Sequence, residues 1–140
     1  MNDLNFLTRQ VEGVVILDLT GRIAIGETSA ELQNTLRALV GEGKRQVVLN
    51  LQNVTAVDSS GLGTLVAAFA NLERHGGHLK LANLPPNVAG LMTMTKLHTV
   101  FDIFDDVQGA VASFEDNGER ITQQLQIQTI QMRKSGGSIV

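Results

Sequence analysis

The sequence contains no cysteine, tryptophan or tyrosine, and its only aromatic residues are five phenylalanines among 140 residues. Without cysteine, the chain can form no disulfide, cysteine-ligated zinc site, iron–sulfur cluster or thiol nucleophile. The scarcity of aromatic rings leaves few surfaces on which nucleic acid bases could stack. The formal net charge of -3 supplies no general positive field for phosphates, so direct nucleic acid binding is not expected.

Long apolar runs are also missing from the chain. No stretch approaches the roughly 18 residues that a membrane-spanning helix needs. The first residues, MNDLNFLTRQ, lack the basic and apolar regions of a signal peptide. A composition of 43% hydrophobic and 18% charged residues is typical of one globular domain. We therefore expect a cytoplasmic protein with no membrane span.

The order of the local patterns predicts an α/β fold. Two short apolar runs near the N-terminus flank a glycine and predict an antiparallel hairpin. Downstream, apolar runs alternate with segments at helical spacing, which predicts a mixed sheet of about five strands with about four helices. Thr28 and Glu31 have the spacing of a capping box at the first helix. The predicted strands are residues 6–10, 14–20, 46–51, 78–82 and 101–104, and the predicted helices begin near Thr28, Asp58, Pro85 and Asp105.

The chain changes character after Glu115. Residues 1–115 carry the periodic patterns and are expected to form the single domain, whereas residues 116–140 are rich in glutamine and end in KSGGSIV. Some apolar spacing persists in this tail at Ile121, Leu125 and Ile130. Composition alone leaves two interpretations of the tail open, a flexible segment and an accessory helix.

The segment Val57-Asp58-Ser59-Ser60-Gly61-Leu62-Gly63 joins the end of a predicted buried strand to the start of a helix. Open α/β sheets usually place their sites there, and free amides at a helix N-terminus favour anions. Ser59 can therefore accept a phosphoryl group, and the two glycines leave the backbone open to a partner. A purely structural interpretation is also available, because Asp58 is a common N-cap residue and glycine permits tight helix–sheet packing.

Other patterns predict no catalytic, cofactor or metal site. Val66 stands where a dinucleotide-binding fingerprint needs its third glycine, and no serine lies in a Gly-x-Ser-x-Gly nucleophile elbow. His75 and His78 are interpreted as surface histidines at a helix end. The aspartates near residue 105 lack the spacing of a calcium-binding loop. A small serine-dependent enzyme would need a base at a recognisable motif position, and none is found.

Residues 6–114 resemble the STAS-domain proteins, specifically the anti-sigma factor antagonists. The strongest element of this resemblance is Asp58-Ser59-Ser60-Gly61-Leu62-Gly63, set between a strand and a helix. Leu17-Asp18-Leu19-Thr20-Gly21-Arg22 and Gly76-Gly77-His78-Leu79-Lys80-Leu81 give supporting, less specific similarity. The resemblance implies a single STAS-like domain.

The resemblance also implies a partner switch controlled by phosphorylation. Ser59, directly after the motif aspartate, would be the phosphoacceptor. The unmodified antagonist would bind an anti-sigma factor serine kinase and free the sigma factor, phosphorylation would end that binding, and a serine phosphatase would restore it. The nucleotide would belong to the kinase. The phosphosite environment and partner contact would be formed by Asp58, Ser60, Gly61, Leu62 and Gly63.

The connection before the first helix departs from the family pattern. Family members commonly carry an aspartate shortly after the equivalent of Gly21-Arg22, close to the phosphoacceptor. This chain has Ala24 at that place, with one apparent extra residue nearby. Glu27 is the candidate replacement for the missing carboxylate.

A second hypothesis from the same resemblance is a STAS module that serves as a scaffold in a transporter or a sensory assembly. This function would need an exposed apolar patch on the domain or the tail. Its binding would persist when Ser59 is modified, which distinguishes it from the partner switch.

Overall fold

The computed structural model describes residues 4–24 and 26–114, without the side chains of Glu27 and Thr28. The sheet belongs to a compact unit that ends at Ala110. The predicted boundary at residue 115 and the predicted tail lie outside the described residues. The elements are β1 (Asn5–Val11), β2 (Val14–Ile23), α1 (Glu27–Gly41), β3 (Gln46–Val57), α2 (Ser59–Arg74), β4 (His78–Ala82), α3 (Pro86–Met94), a short 3-10 helix (Leu97–Thr99), β5 (Asp102–Phe104) and α4 (Val107–Phe114).

The described strands form one five-stranded sheet in the order β1-β2-β3-β4-β5. The first two strands are antiparallel, and the remaining neighbours are parallel. Glu12 and Gly13 connect the hairpin with positive φ angles of 51° and 83°, as a tight two-residue turn requires. The predicted α/β class, the hairpin and the mixed sheet are therefore confirmed.

One face of the sheet packs against α1 and α2. Leu17, Leu49 and Leu81 lie side by side on β2, β3 and β4, and all are buried. Leucines of α1 and α2 belong to the same buried cluster, as their helical spacing predicts. The helix residues in this cluster include Leu32, Leu36, Leu65 and Leu72. This shared core fixes where α2 begins relative to the sheet.

The start of α1 differs from its prediction. The helix begins at Glu27, its N-cap is Gly26, and no side chain caps it. The capping box predicted at Thr28 is therefore wrong. The Ser29 hydroxyl, which is buried, instead donates a hydrogen bond to the carbonyl of Ala24. This contact ties the first turn of the helix to the preceding connection.

β2 and β3 continue beyond the rest of the sheet. The pairing of β3 with β4 ends at Asn50, but β3 runs on to Val57 beside β2. Residues 20–23 and 53–57 thus form a two-stranded β2–β3 extension, and the predicted ends of β2 at residue 20 and of β3 at residue 51 are both wrong. The pairing shifts register twice on the way, after Asp18 and after Gly21. The extension delivers the end of β3 to the start of α2.

Candidate functional site

Asp58 forms the N-cap of α2 directly after the last residue of β3. Its backbone is extended, and its Oδ1 atom accepts the backbone N–H of Gly61 at 2.8 Å. The same oxygen accepts the hydroxyl of Ser60 at 2.6 Å. The Asp58 N–H reaches the carbonyl of Ile23 at 3.4 Å, which joins the cap to the end of β2. The N-cap that the sequence predicts is present.

The two adjacent serines have different environments. Ser59 is the first residue of α2 and is exposed. Ser60 is partly buried, and its hydroxyl is held by the Asp58 carboxylate. Phosphorylation of Ser60 would replace the proton of this hydrogen bond and place a phosphoryl group against the Asp58 carboxylate. Ser59 is therefore the more accessible of the two hydroxyls.

The two glycines of the motif also differ. A Cβ atom on Gly61 would lie 1.8 Å from the carbonyl oxygen of Ile23, so α2 can approach β2 this closely only without a side chain there. At Gly63 a Cβ atom would have no neighbour within 4 Å, and the residue is exposed. The structural interpretation thus explains Gly61, whereas packing does not require a glycine at position 63.

Arg22 is a site residue that the sequence did not predict. Its Nη2 atom lies 3.5 Å from Asp58 Oδ2, and the two side chains are 53% and 43% exposed. The Ser60 hydroxyl, the Gly61 N–H and then Arg22 hold the pKa of Asp58 below its ordinary value. The carboxylate is therefore ionised at neutral pH. The contact joins residues 36 positions apart in the chain, so no local pattern reveals it.

The remaining predicted site residues divide between core and surface. Leu62 is partly buried and packs against the main hydrophobic cluster. Ala24, at the position of the expected aspartate, is partly buried and brings no carboxylate. Glu27 lies in the first turn of α1, but its side chain is outside the described residues. Whether Glu27 replaces the family's aspartate therefore stays a prediction.

The solvent-facing surface of α2 is neutral. No charged residue occurs between Ser59 and Leu72. The exposed positions between the first and the last turn are Gly63, Val66 and Ala67. A surface helix usually carries polar or charged residues on this face. The motif is therefore continued by a surface of small and apolar side chains.

A row of polar side chains crosses the opposite face of the sheet and was not predicted as a group. Arg9 Nε donates to Asp18 at 2.7 Å, Asn50 Nδ2 donates to Asp18 at 2.8 Å, and Asn83 Nδ2 donates to Asn50 at 2.9 Å. The Arg9 hydrogen bond is the main cause of the lowered pKa of Asp18. In VVILDL and VVLNL a polar residue interrupts similar apolar runs, and this was the available signal. The row links β1, β2 and β3 to the residue that follows β4, and so stabilises the sheet.

Within residues 4–24 and 26–114, no group of three histidine or acidic side chains is arranged to hold a metal ion. Over the same part of the chain, no helix has the length and apolarity to cross a membrane. The chemistry of the site is thus that of exposed hydroxyl, carboxylate and guanidinium groups at a helix N-terminus.

The chain is similar in sequence to a known domain family and to a named relative. The family model of the STAS domain matches residues 5–110. Anti-sigma-B factor antagonist of Bacillus subtilis (strain 168) is 29% identical over 109 residues, which are 78% of this chain and 98% of the relative. The family model that matches is the one that the motif residues suggested.

Solved structures share the fold. The anti-sigma factor antagonist SpoIIAA in its unphosphorylated form gives a TM-score of 0.68 at 18% identity, over 80% of this chain and 97% of that chain. Bacillus SpoIIAA in its phosphorylated form gives 0.62 at 17%, over 78% and 98%. The murine Solute Carrier 26 family member A9 anion transporter gives 0.65 at 18%, over 78% of this chain but 19% of that chain. At these identities the likeness shows the fold alone.

Proposed function

The chain belongs to the STAS domain family, and on this premise we propose that it is an anti-sigma factor antagonist controlled by phosphorylation of Ser59. In the unmodified state it binds an anti-sigma factor that is a serine kinase, and so frees the sigma factor for transcription. Phosphorylation of Ser59 ends this binding, and a serine phosphatase restores it. The antagonist is a substrate and a binding partner, and it acts in the cytoplasm.

The observation that carries this proposal is the exposure of Ser59 at the first residue of α2, directly after the capping aspartate. A hydroxyl in this position is open to a kinase, whereas the neighbouring Ser60 is held by Asp58. The relative from Bacillus subtilis, named as an anti-sigma-B factor antagonist, supports the partner class. SpoIIAA, described in unphosphorylated and phosphorylated forms, supports the modification.

The modification is a phosphoryl transfer whose nucleotide belongs to the kinase. The Oγ atom of Ser59 attacks the γ-phosphorus of ATP, and the new O–P bond forms as the bond to the β–γ bridging oxygen breaks. ADP leaves, and the hydroxyl proton passes to a base on the kinase. In the reverse branch, the phosphatase directs water to the phosphorus, which releases inorganic phosphate and regenerates the hydroxyl.

The charge change explains why binding ends. A phosphoserine carries about -1.5 to -2 charges at pH 7. Here that charge would arise beside the ionised Asp58 and at the edge of the neutral surface of α2. Burying an added dianion in a packed interface costs free energy and so lowers the affinity. Each loss of about 1.4 kcal/mol weakens binding tenfold. Because Ser59 is exposed, the same charge disturbs the free domain little.

The acceptor is tested by incubating the full chain with ATP and candidate serine kinases from the same genome, followed by intact mass measurement. We expect the gain of one phosphate in the wild-type protein and in Ser60→Ala, but none in Ser59→Ala. A Ser59→Ala protein that gains phosphate at the wild-type rate would remove Ser59 as the acceptor.

The switch is tested by the affinity of the unmodified protein and of two variants for the kinase that phosphorylates it. Ser59→Asp should weaken binding more than tenfold, because it places a permanent negative charge in the contact. Ser59→Asn has the same size without the charge and is the matched control. Equal affinities for Ser59→Asp and Ser59→Asn would favour the scaffolding alternative, whose binding does not depend on this charge.

A further inference from the structure

Arg22 is directed at the motif by the shape of the β2–β3 extension. Gly21 has a φ of 104°, a conformation that favours glycine, and the pairing with β3 shifts register between Gly21 and Arg22. Irregularities of this kind in a strand turn the following side chain in a new direction. The carbonyl oxygen of Ile23 then accepts the Asp58 N–H and lies close to the backbone of Gly61. The backbone conformation at Gly21 and the contacts of Ile23 therefore place Arg22 beside the start of α2.

The contact that Arg22 makes with Asp58 engages few of the N–H donors of its guanidinium group. Among the residues that the structure describes, it consists of one approach of 3.5 Å to Asp58 Oδ2, between side chains that are both about half exposed. Such a surface pair contributes little to stability. Asp58 caps α2 through its other oxygen, Oδ1, so the cap does not depend on Arg22. A guanidinium group has five N–H donors in a planar fork that suits phosphate oxygens.

We propose that Arg22 is the intramolecular partner of the phosphoryl group on Ser59. When Ser59 is phosphorylated, the guanidinium moves from Asp58 Oδ2 to the phosphoryl oxygens of the next residue. This inference rests on the proposed function for the identity of the modified residue. Ser59 is adjacent to Asp58 in the chain, and both it and Arg22 are exposed, so neither side chain has to leave a buried position for the exchange.

The exchange makes the switch stronger than the added charge alone. In the unmodified protein, Arg22 is an exposed positive group beside the neutral surface of α2 and is available to a partner. In the phosphorylated protein the same group is committed to the phosphate. Modification would thus add negative charge to this surface and also take the guanidinium donors away from a partner protein.

The test uses the full chain with phosphoserine incorporated at position 59 during translation, and follows its phosphorus NMR signal with pH. A phosphoserine has a second pKa of about 6, and a nearby positive charge lowers such a value. We expect Arg22→Gln to raise the pKa by about half a unit relative to the Arg22 protein. Arg22→Lys, which keeps the charge, should give a smaller rise.

Arg74→Gln is the matched control, because Arg74 lies at the other end of α2, about 22 Å away at about 1.5 Å per residue. It should leave the pKa of phosphoserine unchanged. Asp58 and any contribution from Glu27 are common to all these proteins and cancel in the differences. An unchanged value in Arg22→Gln, or an equal shift in Arg74→Gln, would overturn the pairing. Since no kinase takes part, this result is independent of the test of the proposed function.

Discussion

Helices α1 and α2 use similar leucine patterns to cover the same face of the sheet, but their solvent-facing surfaces differ in chemistry. The exposed surface of α1 includes Glu31, Asn34 and Arg37, as expected of a helix that only meets water. On α2 the exposed positions before the last turn are Ser59, Gly63, Val66 and Ala67. Both helices pack leucines into the core, so core packing does not account for the difference between their exposed surfaces.

We propose that the neutral surface of α2 is a contact surface for a partner protein. A partner that packs against this surface gains from small, uncharged side chains, because close approach is possible and little has to be desolvated. The α1 surface has no such feature, although Gln33 of α1 donates a hydrogen bond to the Thr64 carbonyl of α2 and holds the helices together. Under this proposal, residues that the fold does not require, such as Gly63, are the better candidates for the partner contact.

The largest effect is expected from the glycines of α2. Gly61→Ala should destabilise the protein by about 3 kcal/mol, because its Cβ would meet the backbone of Ile23. Gly63→Ala should stabilise it by roughly 0.5–1 kcal/mol, because the position is open and alanine favours the helix. Urea unfolding of both variants measures the difference. Equal destabilisation would contradict the assignment of only one glycine to packing.

These glycines also show what the sequence can and cannot predict. Gly61 and Gly63 lie in one short motif, and both the packing and the surface interpretation fitted either of them. The choice depends on Ile23, which lies 38 positions before Gly61 and reaches it only through the β2–β3 extension. Capping by Asp58 was predictable, because a cap and its helix are neighbours in the chain.

The next effect is on partner binding and compares the two helix surfaces directly. Ala67→Glu on α2 should lower the affinity for the kinase at least tenfold, since it places a charge on the neutral surface. Ala38→Glu is the same substitution at an exposed position of α1 and should leave the affinity unchanged. Both substitutions should change stability by less than about 0.5 kcal/mol. Titration calorimetry with the kinase gives the affinities.

Equal losses of affinity in the two variants would show that added negative charge acts through the general field of the protein. Equal retention would show that the kinase does not contact this part of α2. Either result would contradict the prediction that the kinase contacts the surface of α2 and not that of α1. Unfolding curves of both variants are needed beside the titrations, so that a loss of binding is not confused with a loss of structure.

The parts of the fold that were predictable are those in which the signal is local. The hairpin turn and β4 depend on alternation and a turn signal, and they are found where expected, although β2 runs past its predicted end. The end of β3 was missed because Gln52, Asn53 and Thr55 are exposed and form no apolar run. They continue the strand because β2 pairs with it, which is a long-range effect. The start of α1 was missed because Gly26 needs no capping side chain.

The smallest effect concerns the caps of the two helices. At pH 7, Asp58→Asn should lower the melting temperature by a few degrees at most, because asparagine keeps an acceptor but loses the charge. The Ser60 hydroxyl, the Gly61 N–H and Arg22 lower the pKa of Asp58 in the folded state. The charge therefore stabilises the fold above the unfolded value of about 3.9, and this contribution is lost as pH falls through the lower folded value.

The difference in melting temperature between the wild-type protein and Asp58→Asn should thus be constant from neutral pH down to about pH 5 and shrink at more acidic pH. Asp18, whose pKa is also lowered, titrates in both proteins and cancels in this difference. The cap of α1 contributes nothing to it, because Gly26 has no side chain to titrate. A difference that stays undiminished at acidic pH would show that the charge of Asp58 does not stabilise α2, and the N-termini of the two helices would then be electrostatically alike.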